Sequence, residues 1–415
     1  MIDVIELLRT LTRLRNTRLH LGVSGSVACY KSADLLRHLL ACGIHVSATL
    51  SDGAKHFVSP LLFSSLGAAP VYPEMFTGEE PFAHLEPGQT CQALLVAPAS
   101  ASLLSRMATG AASDMLSAQI LAFAGPVAVA PAMNTLMWSN AATQANVALL
   151  KKRGIHLVGP DCGDLACGST GHGRLAPMAW LLAHALRLLS PQDMAEEDVL
   201  VTLGPTREPW DGVRFWSNPS TGTMGASLAL CAWMRGARVH AVAGPGVDTH
   251  LLPPLPGLTL HPVRTAGEML DQALELWPSV TMGMFTAAVA DFSPVPFGAA
   301  KFKKADAPEG FSVSFTPNAD ILLTLSSSRT GRQKVLGFAA ETTASEAELM
   351  DLAKAKCARK QADVLAANRV NAEDSGFGSP TNAMAVVSRT GREEAWPVQS
   401  KMDVAWDLCS WLLQS

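Results

Sequence analysis

The chain has 415 residues, enough for two ordinary domains, and 48% of them are hydrophobic while only 16% are charged. The net charge of -4 gives no basic field for nucleic acid, so any anion must bind at a local site. No apolar run reaches the roughly 18 residues that predict a membrane span. This composition predicts well-buried sheets and excludes long disordered tails.

The first twenty residues mix arginine with leucine and lack both an apolar core run and a small-residue cleavage site. They predict a short amphipathic helix and not a signal peptide. The eight cysteines are scattered singly without a CxxC pair, which argues against a zinc site or a disulfide framework. We therefore expect a reduced, cytoplasmic protein.

Short apolar runs alternate with helical patterns along the chain, which predicts an α/β protein with two doubly wound, Rossmann-like parallel sheets. The strands predicted in the first half are 19–23, 44–50, 93–98, 126–131 and 155–159. Those predicted in the second half are 199–204, 237–244, 280–285, 334–340 and 362–368, with helices at 344–361 and 402–413.

The polar, acidic segment 190–199 contains a proline and is the predicted linker. The predicted organisation is an N-terminal extension (1–17), a first domain (18–190), a linker (191–198) and a second domain (199–415). The stretch from Asp291 to Pro317 is rich in Pro, Gly and Lys, and a loop of this length is uncommon unless it is a functional flap. Ligands of open parallel sheets bind beyond the carboxyl ends of the strands, so residues that follow strands are the candidates for function.

The turn after the first predicted strand, GVSGSVACYK, contains Ser24, Gly25 and Ser26. Its backbone amides and hydroxyls suit an anion at the start of the following helix. It is not GxGxxG, so a phosphate-binding turn and an ordinary strand-to-helix turn remain alternatives. The segment APASAS, 97–102, likewise fits either an N-cap at Ser100 or a wall of a cofactor pocket.

Three side chains with reactive or hydrogen-bonding groups lie in predicted loops. His84 precedes a strand, Asn134 follows strand 126–131 in the sequence PAMN, and Cys167 is flanked by glycines in LACGSTGHGRLA. Taken singly, they fit an incidental histidine, a helix N-cap and a small buried hydrophobe. Structural cysteines seldom lie in glycine-rich loops, however, and such a loop would let a thiol reach a site.

Together these segments resemble the flavin-dependent cysteine decarboxylases over about residues 18–188. Within that family the similarity is to the phosphopantothenoylcysteine decarboxylase half of bifunctional coenzyme A biosynthesis proteins. PAMN followed by a glycine-flanked cysteine is the specific part of the match. The resemblance implies a flavodoxin-like flavoprotein domain. The chain differs from the family pattern at Ser102, at His172 and after His84, where it reads LEPGQTCQ.

The resemblance also implies a cofactor, FMN, and a mechanism. The substrate carbon that bears sulfur would be oxidised by hydride transfer to FMN, and the resulting thioaldehyde would act as the electron sink for loss of carbon dioxide. His84 would be the base, Asn134 would hold the carboxylate, and Cys167 would donate a proton as the enethiol product is reduced. The residues implied to bind FMN are Ser24, Gly25, Ser26, Thr49, Ser51 and Ser100.

In the second half, a long turn carries Arg207, Arg214 and Asn218 ahead of a helix expected to begin near Ser220. This group suits a phosphate or carboxylate, although surface arginines in a long loop are the alternative. Asp291 follows a strand, where it would suit a metal or ribose contact.

Two groups of lysines complete the candidates of the second half. The run KFKK, 301–304, lies on the predicted flap, where a solvated face is the alternative. Lys356 and Lys360 are four residues apart on one helical face, a spacing also common on ordinary amphipathic helices.

These segments resemble phosphopantothenate–cysteine ligase, the partner half of the same bifunctional proteins, over about residues 198–413. The resemblance implies that phosphopantothenate attacks CTP to give an acyl-cytidylate and pyrophosphate, and that the amine of cysteine then displaces CMP. Arg214 and Asn218 would contact phosphopantothenate or the acyl intermediate, Lys301 would serve the chemistry on the flap, and Asp291 would hold magnesium. Thr223 replaces the lysine of the usual SSGKMG segment. The residues implied to bind CTP are Phe285, Thr286, Ala287, Asp291, Lys301, Asp320, Ile321, Leu322, Leu323, Phe338, Lys356 and Lys360.

The alternatives are a flavoprotein-like scaffold without catalysis, and a different flavin enzyme, either a prenyltransferase or a peptide-cysteine decarboxylase. A different flavin enzyme would leave the second half of the chain unexplained. The absence of GxGxxG from both halves disfavours an NAD-dependent enzyme. CTP and ATP remain alternatives on residues alone. The expected partners are small molecules, with no nucleic acid or membrane, and the resemblance implies a homo-oligomer in which trimers and dimers build a dodecamer.

Overall fold

The structure is a computed structural model that forms two compact units. One unit is Leu11–Pro191, and the other is Gln192–Ser415 together with the chain up to Thr10. The structure describes residues 3–76, 82–247, 250–303, 309–370, 375–376 and 378–415. Lys304, predicted to lie on the flap, is outside these described residues.

The N-terminal segment forms the short helix expected for it, α1 (Val4–Arg9), which Asp3 caps. The backbone N–H of Val4 donates to the carbonyl of His250 at 2.9 Å, so α1 packs on the second unit. The segment predicted as a linker also contacts that unit, because Arg235 makes an ion pair with Asp193 at 2.6 Å.

The first unit is built on a six-stranded sheet in which all neighbouring strands are parallel. Its strands are β1 (Arg18–Val23), β2 (His45–Leu50), β3 (Val71–Tyr72), β4 (Ala93–Ala99), β5 (Val127–Pro131) and β6 (His156–Leu157). The order is β3-β2-β1-β4-β5-β6. Among themselves, the five predicted strands have the flavodoxin order 2-1-3-4-5, which β3 extends by one short edge strand.

Helices cover both faces of this sheet, which is why β4 is buried along its whole length. The helices of the first unit are α2 (Lys31–Ala41), α3 (Asp52–Lys55), α4 (Pro60–Ser65), α5 (Glu86–Thr90), α6 (Ala101–Thr109), α7 (Met115–Leu121), α8 (Thr135–Ser139), α9 (Ala141–Lys152) and α10 (Met178–Leu189), with a 3-10 helix at Val27–Tyr30. A separate antiparallel hairpin, β7 (Asp161–Asp164) and β8 (Thr170–Arg174), carries the glycine-rich segment.

The second unit has an eight-stranded sheet and two small antiparallel ribbons. Its strands are β9 (Asp198–Leu203), β10 (Arg207–Pro209), β11 (Phe215–Ser217), β12 (Arg238–Ala243), β13 (Leu258–Pro262), β14 (Met282–Phe285), β15 (Phe292–Pro294), β16 (Phe315–Pro317), β17 (Lys334–Glu341), β18 (Val364–Arg369), β19 (Thr381–Ser388) and β20 (Glu393–Ser400). Its helices are α11 (Thr223–Met234), α12 (Ala266–Leu276), α13 (Ile321–Ser327), α14 (Glu346–Lys360) and α15 (Lys401–Gln414), with a 3-10 helix at Trp277–Ser279.

The strand order of the large sheet is β13-β12-β9-β14-β17-β18-β19-β20. The first six strands are parallel, and β19 and β20 add an antiparallel hairpin at one edge that the sequence analysis did not predict. The doubly wound α/β fold is confirmed in both units. Among the described residues, we find no helix with the length and apolar character needed to cross a bilayer.

Candidate active sites

The residues predicted to bind FMN lie at or just beyond the carboxyl ends of β1, β2 and β4, in or next to the turns that follow these strands. The Oγ of Ser24 accepts a hydrogen bond from the backbone N–H of Ser100 at 2.7 Å and donates to the carbonyl of Pro98 at 2.9 Å, which ties two of these turns together. Ser26, Ser51 and Ser100 each cap the helix that follows them. The N-cap interpretation of Ser100 is therefore correct, and its place beside Ser24 agrees with the wall of a pocket.

Two observations show that these turns fit a cofactor such as FMN. A Cβ added to Gly25 would lie 2.8 Å from the backbone of Gly53, so glycine lets the two turns approach closely. The Oγ1 of Thr49 is buried and has no hydrogen-bond partner in the structure. Because an unpaired buried hydroxyl costs free energy, a polar group of a bound cofactor would satisfy it.

Asn134 joins the end of β5 to the β7–β8 hairpin. Its Oδ1 accepts the backbone N–H of Leu136 at 2.8 Å and caps α8, while its Nδ2 donates to the Sγ of Cys167 at 3.2 Å. The capping interpretation is therefore correct, and the contact with Cys167 uses a different atom of the same amide; the role of Asn134 at the site stays a prediction.

Cys167 is exposed at the tip of the hairpin, and its Sγ lies 3.1 Å from the Oγ of Ser169. Hydrogen bonds from the side chain and backbone of Ser169, and from Asn134, lower the pKa of Cys167 to about 7. A thiol with this pKa is divided between its protonated and ionised forms near neutral pH, which suits a group that exchanges protons.

Glycines bring the hairpin onto the PAMN segment. Gly173 has a φ of +130°, its carbonyl accepts the N–H of Met133 at 2.9 Å, and an added Cβ would overlap the Met133 carbonyl oxygen. A Cβ at Gly171 would lie 2.7 Å from Thr135 Oγ1. The glycines around Cys167 therefore permit the contact with Asn134.

His84 is half-buried in the turn before α5. The carbonyl of its neighbour Ala83 accepts a hydrogen bond from the Nε2 of Gln119 at 3.1 Å, which anchors the turn. Within the described part of the chain, no hydrogen bond joins His84 to Asn134 or Cys167. The role of His84 as base stays a prediction.

The second unit contains a cavity of about 590 Å³ that collects most of the residues predicted to bind nucleotide and substrate. The predicted residues that line it are Asn218, Phe285, Thr286, Ala287, Asp291, Asp320, Ile321, Leu322, Phe338, Lys356 and Lys360. They come from the carboxyl ends of β14 and β17, the start of α13, the end of α14 and the segment before α11. This is the edge of the sheet at which ligands bind in doubly wound folds.

Two lysines in the cavity form ion pairs with carboxylates on other elements. Lys356 makes an ion pair with Glu341, and Lys360 with Asp320. Asp320 also caps α13 through the N–H of Leu323 at 3.0 Å. Burial lowers the pKa of Lys360, against the attraction of Asp291.

Three predicted residues do not line this cavity: Arg214, Lys301 and Leu323. Lys301 is exposed in the loop between β15 and β16. That loop is fixed to the turn between β10 and β11, because Trp210 stacks on Phe311 with ring centres 5.1 Å apart and also contacts Phe302 at 5.2 Å.

Asp211 is the buried anchor of Arg214 and of the predicted flap. Its carboxylate accepts backbone N–H groups from Arg214 at 2.6 Å, Val213 at 2.8 Å and Phe302 at 3.1 Å, and it pairs with the Arg214 guanidinium at 2.7 Å. Burial alone would raise the pKa of Asp211, but these N–H groups and Arg214 outweigh it and lower the pKa to about 2. Asp211 therefore fixes Arg214 next to the lysine-bearing loop.

Asp291 and Asp320 both line the cavity, but the described residues contain no cluster of three His, Cys, Asp or Glu side chains able to bind a metal. Magnesium commonly binds through one or two carboxylates together with substrate phosphates and water. Asp291 fits that mode, in which a nucleotide supplies most of the remaining ligands, whereas Asp320 is already engaged by Lys360 and Leu323.

Comparisons with known proteins agree with the division of the chain into two units. Residues 7–190 match the family model described as Flavoprotein, and residues 194–415 match the one described as DNA/pantothenate metabolism flavoprotein C-terminal domain. The coenzyme A biosynthesis bifunctional protein CoaBC of Vibrio vulnificus is 36% identical over 95% of this chain and 97% of that protein. The chain belongs to the bifunctional coenzyme A biosynthesis family.

The Bacillus subtilis member of this coenzyme A biosynthesis family is 35% identical over 95% of this chain and 96% of that protein. A solved structure described as a PPC decarboxylase mutant complexed with pantothenoylaminoethenethiol covers 41% of this chain and 96% of that chain, at 31% identity and a TM-score of 0.38.

The polar residues of the second-unit cavity that the sequence did not single out include Arg359, Asn368, Asn382 and Lys401. Arg359 lies between Lys356 and Lys360 on α14, so its position next to these two predicted residues could have identified it. Asn382 and Lys401 lie on or just after the unpredicted β19–β20 hairpin, so only the fold brings them to the site.

Proposed function

We propose that this chain catalyses two consecutive steps of coenzyme A biosynthesis. The first is the CTP-dependent ligation of cysteine to 4'-phosphopantothenate, and the second is the FMN-dependent decarboxylation of phosphopantothenoylcysteine to 4'-phosphopantetheine. The observation that carries the second step is the contact between Asn134 and Cys167. The first step rests on the cavity that gathers the predicted nucleotide-binding residues in the second unit.

The Nδ2 of Asn134 has two hydrogens, of which one donates to Cys167, so the other is available for the substrate carboxylate in the decarboxylation. A neutral amide orients the carboxylate by hydrogen bonds without an ion pair that would oppose its loss. Ser24, Gly25, Ser26, Thr49, Ser51 and Ser100 would hold FMN, which when bound supplies a reversible hydride acceptor.

Proton transfer completes the decarboxylation. His84 removes a proton from the substrate, and Cys167 delivers one to the enethiol carbon in the reductive step. The net reaction consumes one proton and releases carbon dioxide. The pKa of about 7 keeps a useful fraction of Cys167 in its proton-donating form at neutral pH.

In the ligation, Lys356 and Lys360 would hold the triphosphate, and a magnesium ion bound at Asp291 would help them to neutralise the charge that develops on departing pyrophosphate. The carboxylate oxygen of phosphopantothenate attacks the α-phosphorus and the bond to pyrophosphate breaks. The amine of cysteine then forms the amide, and CMP leaves. Arg214 and Lys301 reach the site when the turn between β10 and β11 moves over it together with the loop that carries Lys301, which excludes water.

We also propose that the protein is a cytoplasmic homo-oligomer in which trimers of the first unit and dimers of the second build a dodecamer. Exposed apolar side chains of the first unit support an interface, namely Leu61, Phe82 and Leu136. Sedimentation velocity measures the mass of the assembly, and a monomer at micromolar concentration would contradict this proposal.

The experiment that tests the function is incubation of the purified, FMN-reconstituted protein with phosphopantothenate, cysteine and magnesium, with either CTP or ATP. Mass spectrometry should detect phosphopantetheine, and CMP in the CTP reaction. Formation of AMP at an equal rate in the ATP reaction would overturn the nucleotide assignment. A protein that remains colourless with FMN would overturn the flavin assignment.

A further inference from the structure

Lys401 is a buried lysine in the wall of the second-unit cavity, in a position that helix electrostatics disfavours. It is the first residue of α15, where the positive end of the helix dipole opposes a cationic side chain. Only 4% of its surface is exposed, and burial lowers its pKa to about 8. The charged form of a lysine buried in this way is costly unless it is compensated.

Among the residues that the structure describes, little compensates this charge. The Nζ of Lys401 donates to the carbonyl of Gly376 at 3.2 Å, and no carboxylate of a described residue lies within ion-pair distance of it. In contrast, Lys356 and Lys360, which line the same cavity, each have an acidic partner. Lys401 therefore keeps donor capacity and positive charge for something else in the cavity.

Hydrogen bonds connect Lys401 to the beginning of α11. The N–H of Gly376 donates to the Oδ1 of Asn382 at 3.1 Å, and the Nδ2 of Asn382 contacts the Sδ of Met224 at 3.7 Å. Met224 is in the first turn of α11, a 12-residue helix that begins after Gly222 without a side-chain cap. All four residues line the cavity, so a cation and a helix N-terminus share one region of its wall.

We propose that Lys401, together with the N-terminus of α11, binds a phosphate group of a ligand in this cavity, in addition to the lysines of α14. This inference rests on the proposed ligation. A phosphate there could come from the triphosphate of the nucleotide or from the phosphomonoester of phosphopantothenate. In either case the bound anion compensates the charge of Lys401, which no described carboxylate pairs with, and Lys401 acts as a binding residue.

The test compares Lys401→Met and Lys401→Gln with the parent protein in calorimetric binding of magnesium–CTP, pyrophosphate, 4'-phosphopantothenate and pantothenate. Both changes remove the charge, and Gln retains a donor for Gly376. Lys354→Met, which removes an exposed lysine of α14, is the matched control. FMN-dependent decarboxylation of supplied phosphopantothenoylcysteine should stay unchanged in all variants.

We expect both Lys401 variants to bind at least one phosphate-bearing ligand at least tenfold more weakly, while pantothenate binding and the control are unchanged. Weaker binding of CTP and pyrophosphate assigns the subsite to the nucleotide, and weaker binding of phosphopantothenate alone assigns it to the substrate. Binding within twofold of the parent for every ligand would overturn the inference and leave the proposed function intact. Failure of the parent to bind CTP would instead contradict the proposed function, and the pyrophosphate measurement would still decide the role of Lys401.

A crystal structure of the parent protein with pyrophosphate keeps the inference testable if the variants unfold. A phosphate oxygen should lie about 3 Å from the Nζ of Lys401. A bound pyrophosphate that makes no contact with Lys401 would overturn the inference.

Discussion

The side chain of Asn134 contacts two elements at once: its Oδ1 caps α8, and its Nδ2 lies 3.2 Å from the Sγ of Cys167. The Oδ1 therefore stabilises the start of α8, whereas the Nδ2 serves the proposed chemistry. A substitution that keeps the oxygen and removes the amide nitrogen separates the two roles.

Asn134→Asp is that substitution, because aspartate is as good an N-cap as asparagine. It replaces the donor with a negatively charged acceptor that repels the substrate carboxylate. We expect decarboxylation of supplied phosphopantothenoylcysteine to fall roughly 100- to 1,000-fold, the usual effect of removing one oriented donor, while ligation is unchanged. Carbon dioxide release measures the effect.

The matched control is Asn140→Asp, because Asn140 caps the next helix, α9, through the N–H of Ala142 at 2.9 Å and is exposed. It should retain parental activity. Undiminished decarboxylation by Asn134→Asp would show that Asn134 does not hold the carboxylate.

The lowered pKa of Cys167 predicts a pH dependence. In a Cys162→Ser background, which removes the other exposed thiol, alkylation of Cys167 should rise with pH around a midpoint near 7, because the thiolate is the reactive form. Proton donation needs the thiol form, so the decarboxylation rate should fall as pH rises through the same midpoint.

Ser169→Ala removes the hydrogen bond that contributes most to this shift, so both midpoints should move upward toward the ordinary thiol value of 9.0. Mass spectrometry of the alkylated peptide and a pH–rate profile measure the two midpoints. A midpoint that stays near 7 in the Ser169→Ala variant would show that Ser169 does not set the acidity of the thiol.

Lys301→Gln tests whether the loop between β15 and β16 acts in the ligation. Lys301 is exposed and outside the cavity, so removing its charge should spare the fold and the decarboxylation. We expect ligation to fall by roughly 100-fold or more, because the cation would stabilise a transition state of phosphoryl chemistry. Lys303→Gln, two residues away and also exposed, should be nearly neutral. Equal loss of both activities in Lys301→Gln would indicate misfolding.

Asp211→Asn tests the anchoring of Arg214. The amide carries no charge for Arg214 and is a weaker acceptor for the backbone N–H groups that Asp211 now binds. The KM for phosphopantothenate should rise roughly 10- to 100-fold, in line with the loss of charge-assisted hydrogen bonds. Steady-state ligation kinetics measure it, with Asp271→Asn on the exposed face of α12 as the control. An unchanged KM would mean that Arg214 does not bind this substrate in its anchored position.

The alternating pattern of apolar runs predicted the main parallel strands because each is buried on both faces and reads as a continuous apolar segment. The β19–β20 hairpin escaped prediction because β20 lies at the edge of the sheet and is largely exposed, with charged residues at its start. The two-residue strand β3 is too short to produce any pattern.

The motifs predicted which residues belong together within each unit, and the structure brings Asn134 to Cys167 and Asp320 to Lys360. The motifs did not predict that Lys401 belongs to the cavity. It is separated from the other cavity residues in the chain and follows an unpredicted strand, so only tertiary packing places it at the site.

The central claim, that one chain performs both steps in sequence, is tested most directly with cysteine labelled with ¹³C in its carboxyl group. The FMN-loaded protein is given phosphopantothenate, magnesium and the labelled cysteine, with and without CTP, and released ¹³CO₂ is measured. Because decarboxylation requires the ligated substrate, we predict ¹³CO₂ in an amount equal to the CMP formed, and none without CTP. CMP without ¹³CO₂, or ¹³CO₂ without CTP, would contradict the account.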